Sequence, residues 1–311
     1  MQELHPDYPS AKEVDGWCDA LLHKAEGRRL EACPVEREPW DFRLGVRHTG
    51  GSFVAFESDG RDTFYGFWQG APSGRGPLLV HVPGYGAEMS AHPELVSMGW
   101  NVLHVNPLGY ATPDGPDESR RPGGTWPVLP DTVKSLGREG YVGWLEDAVA
   151  AAFWAMGQEG VEERRFAFFG TSQGGGTALL LSSILASRGV CCVAADVPFL
   201  INFPLMHQRS PRGAHELALV ELDRIGEERP DDLAAAWRAL GFVDVLCHAH
   251  RLQMPTLLTA GAEDPTCQPD TIRSLFDVLP GTRSYTELSG QGHGYTTPFL
   301  ALARAWFQLY L

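Results

Sequence analysis

The stretch FFGTSQGGGTALLL, residues 168–181, constrains this chain more than any other. A phenylalanine-rich apolar run leads into Gly170-Thr171-Ser172-Gln173-Gly174 and then directly into a segment of helical composition. This is G-x-S-x-G between a strand and a helix, the corner that presents a nucleophilic serine in a strained backbone conformation. Side chains two residues before and two after such a serine would collide, and Gly170 and Gly174 remove them. Gly175 lets the following helix lie close to the strand.

The rest of the chain supplies a matching frame. Short apolar runs (LLVHV, NVLHV, FAFFG, VCCVAA and TLLTAG) alternate from residue 77 with segments of helical period. Such runs are the pattern of parallel strands buried on both faces. Leu145, Ala148, Val149, Ala152 and Met156 share one helical face, as do Ile272, Leu275, Phe276 and Leu279, the latter stopped by Pro280-Gly281. Thr297-Pro298 is an N-cap and first-turn pair for a last helix that turns Phe299, Leu302 and Trp306 inward. Before residue 77, a helix is expected at 11–27. Three β-rich segments follow, DFRLGVRH, GSFVAFESDG and DTFYGFWQG, with Gly/Asp turns that suggest an antiparallel meander. An antiparallel start followed by strand–helix alternation predicts an α/β-hydrolase fold. Its central sheet is mostly parallel, with antiparallel N-terminal strands and helices on both faces. No linker interrupts the pattern, so residues 1–311 are expected to form a single domain. Two segments break the alternation. Residues 106–136 are proline-rich and read as a long loop, and residues 198–252 read as a helical cap insertion over the site.

Serine is a weak nucleophile without a base in hydrogen-bond reach and an acid to hold that base. In this fold the acid and then the histidine follow the serine, each after a late strand. Asp264 follows the TLLTAG strand, with Glu263 and Asp270 as neighbouring alternatives, Asp270 better placed to start the next helix. His293 follows the last strand in a glycine-flanked loop. The tetrahedral intermediate needs two backbone donors. Gln173, next to the serine, offers one, and Tyr85 in HVPGYGAEM offers the other.

The chain carries a formal net charge of -14, which disfavours nucleic acid and anionic membrane surfaces as partners. No apolar stretch reaches about 18 residues, so no membrane span is expected. The N-terminus has no basic segment followed by an apolar run, so no signal peptide is expected. Cys18, Cys33, Cys191, Cys192, Cys247 and Cys267 show no framework spacing, which fits a reducing cytoplasm. His248-Ala249-His250 lies in a helical segment, where alternate side chains diverge, so no metal is expected there. No cofactor fingerprint is present. The arginine pairs at 28–29, 120–121 and 164–165 read as solvated surface.

These residues resemble the acetyl xylan esterase and cephalosporin C deacetylase family of carbohydrate esterases. The resemblance runs from about residue 77 onward, and more loosely from the N-terminal helix. It is carried by FGTSQGGGTAL, by YVGWLEDAVAA upstream, by AADVPFLINF downstream, and by FVDVLCHAHRLQMPTLLTAGAEDPTCQPDTIRSLFDVLPG. It implies a Ser172-Asp264-His293 triad, an oxyanion hole from the Tyr85 and Gln173 amides, and deacetylation of sugars or cephalosporins. It also implies assembly into a homo-oligomer, as members often do. Two positions depart from the family pattern. Pro107-Leu108-Gly109-Tyr110 stands where an Arg-Gly-Gln motif is usual, and Gly294 stands where a glutamate usually follows the histidine. The expected activity is hydrolysis of short acyl esters, acetylated sugars above all, with no cofactor and no metal. The alternatives are a triad hydrolase of peptides, thioesters or longer acyl esters, and a scaffold that binds a ligand without turning it over.

Overall fold

Alternation of side chains along four apolar strands divides the interior into two layers. Leu78, Val80 and Val82 pack with Phe166, Phe168, Val193, Ala195, Leu258 and Ala260 on one face of the sheet. The interleaved Leu79, Ala167, Phe169, Cys192, Ala194 and Leu257 pack on the other. Strands buried on both faces must be covered twice, and the helices do this.

The computed structural model describes residues 4–35, 51–58, 60–84, 91–107, 111–117, 119, 128–209, 214–294 and 297–311. The sheet is built from β1 (Glu31–Val35), β2 (Ser52–Glu57), β3 (Phe64–Gln69), β4 (Gly76–Val82) and β5 (Asn101–Asn106). It continues with β8 (Val161–Thr171), β9 (Cys192–Asp196), β10 (Thr256–Gly261) and β11 (Arg283–Leu288). Its order is β1-β2-β3-β5-β4-β8-β9-β10-β11. Pairing is antiparallel from β1 to β5 and parallel from β5 to β11. The expected antiparallel start and parallel remainder are therefore both present. GSFVAFESDG and DTFYGFWQG became β2 and β3, while DFRLGVRH lies outside the described residues. Strand β1 was not expected from the sequence. It sits on the sheet edge, where a proline such as Pro34 is tolerated.

Helix α1 (Ala11–Glu26), α4 (Tyr141–Met156), α5 (Gln173–Ile184) and α9 (Pro269–Val278) contribute to the first layer. The second holds Leu95 of α2 (Pro93–Val96) and Phe299, Ala303 and Phe307 of α10 (Thr297–Tyr310). Every residue of α5 is buried, so this helix is enclosed on all sides. Helix α1 begins with Glu13 accepting from Ser10 N (2.8 Å) and Ser10 Oγ (2.7 Å), a local device that fixes its first turn.

Helices α1 and α4 meet across an ion-pair network, which corrects one sequence expectation. Arg28 is no solvated surface residue: its side chain is 11% exposed and its guanidinium pairs with Asp147. Arg61 reaches both Glu146 Oε2 (2.7 Å) and Asp147 Oδ1 (2.8 Å), and Lys24 reaches Glu146 Oε1 (2.5 Å). The acidic pair of the YVGWLEDAVAA segment is thus buried and holds three cations from other elements.

The described part of 106–136 holds regular structure that its composition does not suggest. It contains a small hairpin, β6 (Ala111–Thr112) with β7 (Gly115–Pro116), and α3 (Val128–Lys134). Pro130 falls within the first turn of α3, where a missing N–H breaks no helical bond. The insertion expected at 198–252 is helical: α6 (Phe203–Gln208), α7 (Ala214–Glu228), α8 (Leu233–Gly241) and short 3-10 turns at Pro230–Asp232 and Val245–Arg251. Asp244 anchors it. Its buried carboxylate accepts from the backbone of Asn202, Phe203 and Leu246 and from the Tyr8 hydroxyl.

Candidate active site

In an open parallel sheet, the strand carboxyl ends form the crevice where loops converge. Strand β8 ends there at Thr171, and Ser172 follows with φ 58° and ψ −124°. This conformation is costly for a residue with a side chain, so its surroundings must hold it. Ser172 N donates to Asp196 O (2.9 Å), while Ser172 O accepts from Gly176 N (3.0 Å) and Phe199 N (2.9 Å). The glycine requirement is steric. A Cβ on Gly170 would collide with the Gly174 and Val82 carbonyls, and one on Gly174 with the Val82 and Pro83 carbonyls.

The three polar residues chosen from the sequence come together. Ser172 Oγ lies 2.9 Å from His293 Nε2, and His293 Nδ1 lies 2.8 Å from Asp264 Oδ2. With Nδ1–H donated to the carboxylate, the Nε2 lone pair faces the serine hydroxyl and can accept its proton. Asp264 stands just past β10 with a side chain that is 0% exposed, whereas the His293 side chain remains 28% exposed. The alternatives lie elsewhere. Glu263 is exposed, and Asp270 sits in the first turn of α9, paired with Arg209.

Two contacts beyond those residues hold the acid. Asp264 Oδ1 accepts from Thr266 N (2.8 Å) and Cys267 N (2.9 Å). The cue in the sequence is Asp-Pro-Thr-Cys, since an aspartate carboxylate commonly bonds the backbone two residues on. The Cys267 thiol itself was not foreseen. Its sulfur, the Asp264 carboxylate and a His293 ring nitrogen lie within 4.8 Å of one another. Burial pushes this thiol well above its ordinary pKa, the Asp264 charge adds to the rise, and a hydrogen bond with Ser172 opposes it. It is held as a neutral neighbour of the serine.

Gln173 opens α5, so its N–H is one of the donors a first helical turn leaves without an intrahelical partner. Its side chain turns away and donates to Thr177 Oγ1 (2.9 Å). Tyr85 lies outside the described residues, as do residues 108–110, where the family's Arg-Gly-Gln is replaced. Gly84 approaches the corner: a Cβ there would lie 3.4 Å from Ser172 Cβ. Gly294 has φ 156°, a value L side chains rarely adopt, so the missing glutamate is matched by a backbone that suits glycine. His248 and His250 diverge as expected. His248 is buried against Ser183 and Phe242, and His250 bonds Asp15.

Comparison with known proteins places this chain in a family. The structure is similar to an acetyl xylan esterase from Paenibacillus sp. R4, with a TM-score of 0.75, 22% identity, and 98% of this chain and 97% of that chain covered. It is also similar to acetyl xylan esterase 1 from Thermoanaerobacterium sp. JW/SL YS485 (TM-score 0.79, 18% identity, coverage 97% and 95%). A puromycin-hydrolyzing peptidase of Mycobacterium tuberculosis shares the fold over 92% of this chain and 40% of its own (TM-score 0.60, 19% identity). Residues 71–310 match the family model of acetyl xylan esterases (AXE1), and the chain belongs to that family.

Proposed function

We propose that this chain is a serine esterase that removes short acyl groups, acetyl above all, from sugar esters. The observation that carries the reading is the 2.9 Å contact between Ser172 Oγ and His293 Nε2 at a strained strand–helix corner, in a chain of an esterase family. Ser172 Oγ attacks the ester carbonyl while His293 Nε2 takes its proton. Asp264 holds the imidazole in the required tautomer and stabilises its cation. The oxyanion is met by the Gln173 N–H, and by the Tyr85 N–H as the second donor. His293 then protonates the leaving alcohol, and water activated by the same nitrogen releases the acid.

The surroundings fit this assignment. Six unpaired cysteines agree with a reducing cytoplasm as the working compartment. Among the described residues, no helix is long and apolar enough to cross a membrane. We assign the helical segment 198–252 to cover the site within one domain, as its contact with the corner through Phe199 N suggests. The test is hydrolysis of p-nitrophenyl acetate by the wild type and by Ser172→Ala, extended to longer acyl esters and amides. Turnover in the wild type, lost on the order of 10⁶-fold in the variant, supports the reading. Equal turnover in both removes Ser172 from the chemistry. A preference for amides or long chains moves the substrate to the wider hydrolase class, and a wild type inert to every ester leaves a binding scaffold.

A further inference from the structure

A second cluster of titratable groups lies on the sheet face covered by α2 and α10. His81 of β4 and His104 of β5 are register partners in adjacent strands, and both fall in the phase of Leu79 and Val102. His92 stands directly before α2. The three are 4%, 0% and 4% exposed, among the most buried polar residues of the chain. Phe169 walls them on one side, with ring centroids 4.6 Å from His81 and 5.2 Å from His92.

Their nitrogens converge. His81 Nδ1 lies 2.8 Å from His104 Nδ1 and 3.0 Å from His92 Nε2, and one nitrogen from each ring lies within 4.8 Å of the other two. An imidazole nitrogen offers a single in-plane position, either a proton or a lone pair. No protonation pattern of three neutral rings therefore gives His81 Nδ1 a linear hydrogen bond to both neighbours. His104 Nε2 has no hydrogen-bond partner among the described residues, and its Nδ1 meets His81 inside the cluster. Protonating His81 or His104 would place a charge in a desolvated interior, which disfavours it. Three imidazole nitrogens gathered this closely, one from each ring, are instead the donor set of a cation.

We propose that His81 Nδ1, His92 Nε2 and His104 Nδ1 bind a divalent first-row transition ion, with zinc the best match to an all-imidazole site. In a tetrahedral zinc site, metal–nitrogen bonds of about 2.0–2.1 Å separate the nitrogens by roughly 3.3 Å, so the His81–His104 and His81–His92 pairs, at 2.8 and 3.0 Å, need to open by only a few tenths of an ångström. Glu94 Oε1 lies 3.5 Å from His92 Nδ1, on the far side of that ring. A carboxylate behind a ligating imidazole fixes its tautomer and raises its basicity. His92 N is further pinned to Gln69 Oε1 at 2.7 Å. His81 and His92 flank, in sequence, the segment that contains Tyr85, so the ion anchors both stems of that connection. The site is separate from Ser172, and neither proposal depends on the other.

The test is equilibrium dialysis of the chelator-stripped full chain against Zn²⁺ and Co²⁺, read by metal analysis, Co²⁺ absorption and Tm. The expected result is stoichiometric uptake, visible ligand-field bands without a thiolate charge-transfer band, and a Tm that rises with zinc. His92→Gln and His104→Phe should each weaken binding by more than the roughly 10–100-fold that losing an outer partner costs, and Glu94→Gln by about that amount. His293→Ala should leave uptake unchanged. If His104→Phe fails to fold, the wild-type titration and His92→Gln still decide. Absence of uptake, equal uptake in the ligand variants, or a thiolate band abolished by His293→Ala would each overturn the proposal. The last outcome would assign the ion to Asp264, Cys267 and His293 instead.

Discussion

At the residue scale, the site is a chain of proton-holding contacts, and each link has a distinct cost. Removing the Asp264 carboxylate leaves His293 free to choose the wrong tautomer. Asp264→Asn should lower kcat on the order of 10⁴-fold in ester hydrolysis while the protein remains folded. A loss of only a few-fold would mean that the imidazole is oriented by something else. These residues were legible because each follows a strand in a fixed order, which sequence preserves. Cys267 and the Thr266 amide were not, because their role comes from a tight turn around Asp264 whose geometry no periodicity reports. The histidine cluster was hidden for a similar reason: strand register, not spacing, brings His81 and His104 together.

At the element scale, buried charge does what apolar packing does elsewhere. Glu146 and Asp147 on α4 face Lys24 and Arg28 from the N-terminal helix region and Arg61 from the β2–β3 turn. The Asp147 side chain is 2% exposed, so its removal leaves Arg28 without its buried partner. Asp147→Asn should destabilise the fold by about 3–5 kcal/mol in denaturant unfolding, the usual cost of breaking one side of a buried pair. A change under about 1 kcal/mol would show the network to be solvent-screened. The parallel strands were readable from the sequence because burial on both faces makes them continuously apolar. Strand β1 was not, since an edge strand with a mixed burial pattern carries little signal. Arg28 was misread for the converse reason: nothing in a local window shows which carboxylates will cover it.

At the scale of the whole molecule, acid should loosen the fold before it titrates the surface alone. His248 is buried between Ser183 Oγ and the Phe242 carbonyl, and desolvation lowers its pKa to about 4. A histidine with a lowered folded pKa stabilises fully above its unfolded value of about 6.5, and that contribution is lost as pH falls toward about 4. The unfolded chain binds the proton that the folded chain refuses. The loss amounts to roughly 3 kcal/mol by linkage. His248→Gln should therefore flatten the decline in stability between those two pH values, followed by urea unfolding across the range. An unchanged slope would mean that other groups dominate the acid response.

The central claim is that Ser172 is the nucleophile of an esterase, and a fluorophosphonate probe tests it without choosing a substrate. Labelled protein, digested and mapped by mass spectrometry, should carry the adduct on Ser172 in the wild type. It should carry none in Ser172→Ala and should form far more slowly in His293→Ala. An unlabelled wild type that is demonstrably folded, or an adduct on another residue that persists in Ser172→Ala, would contradict the account.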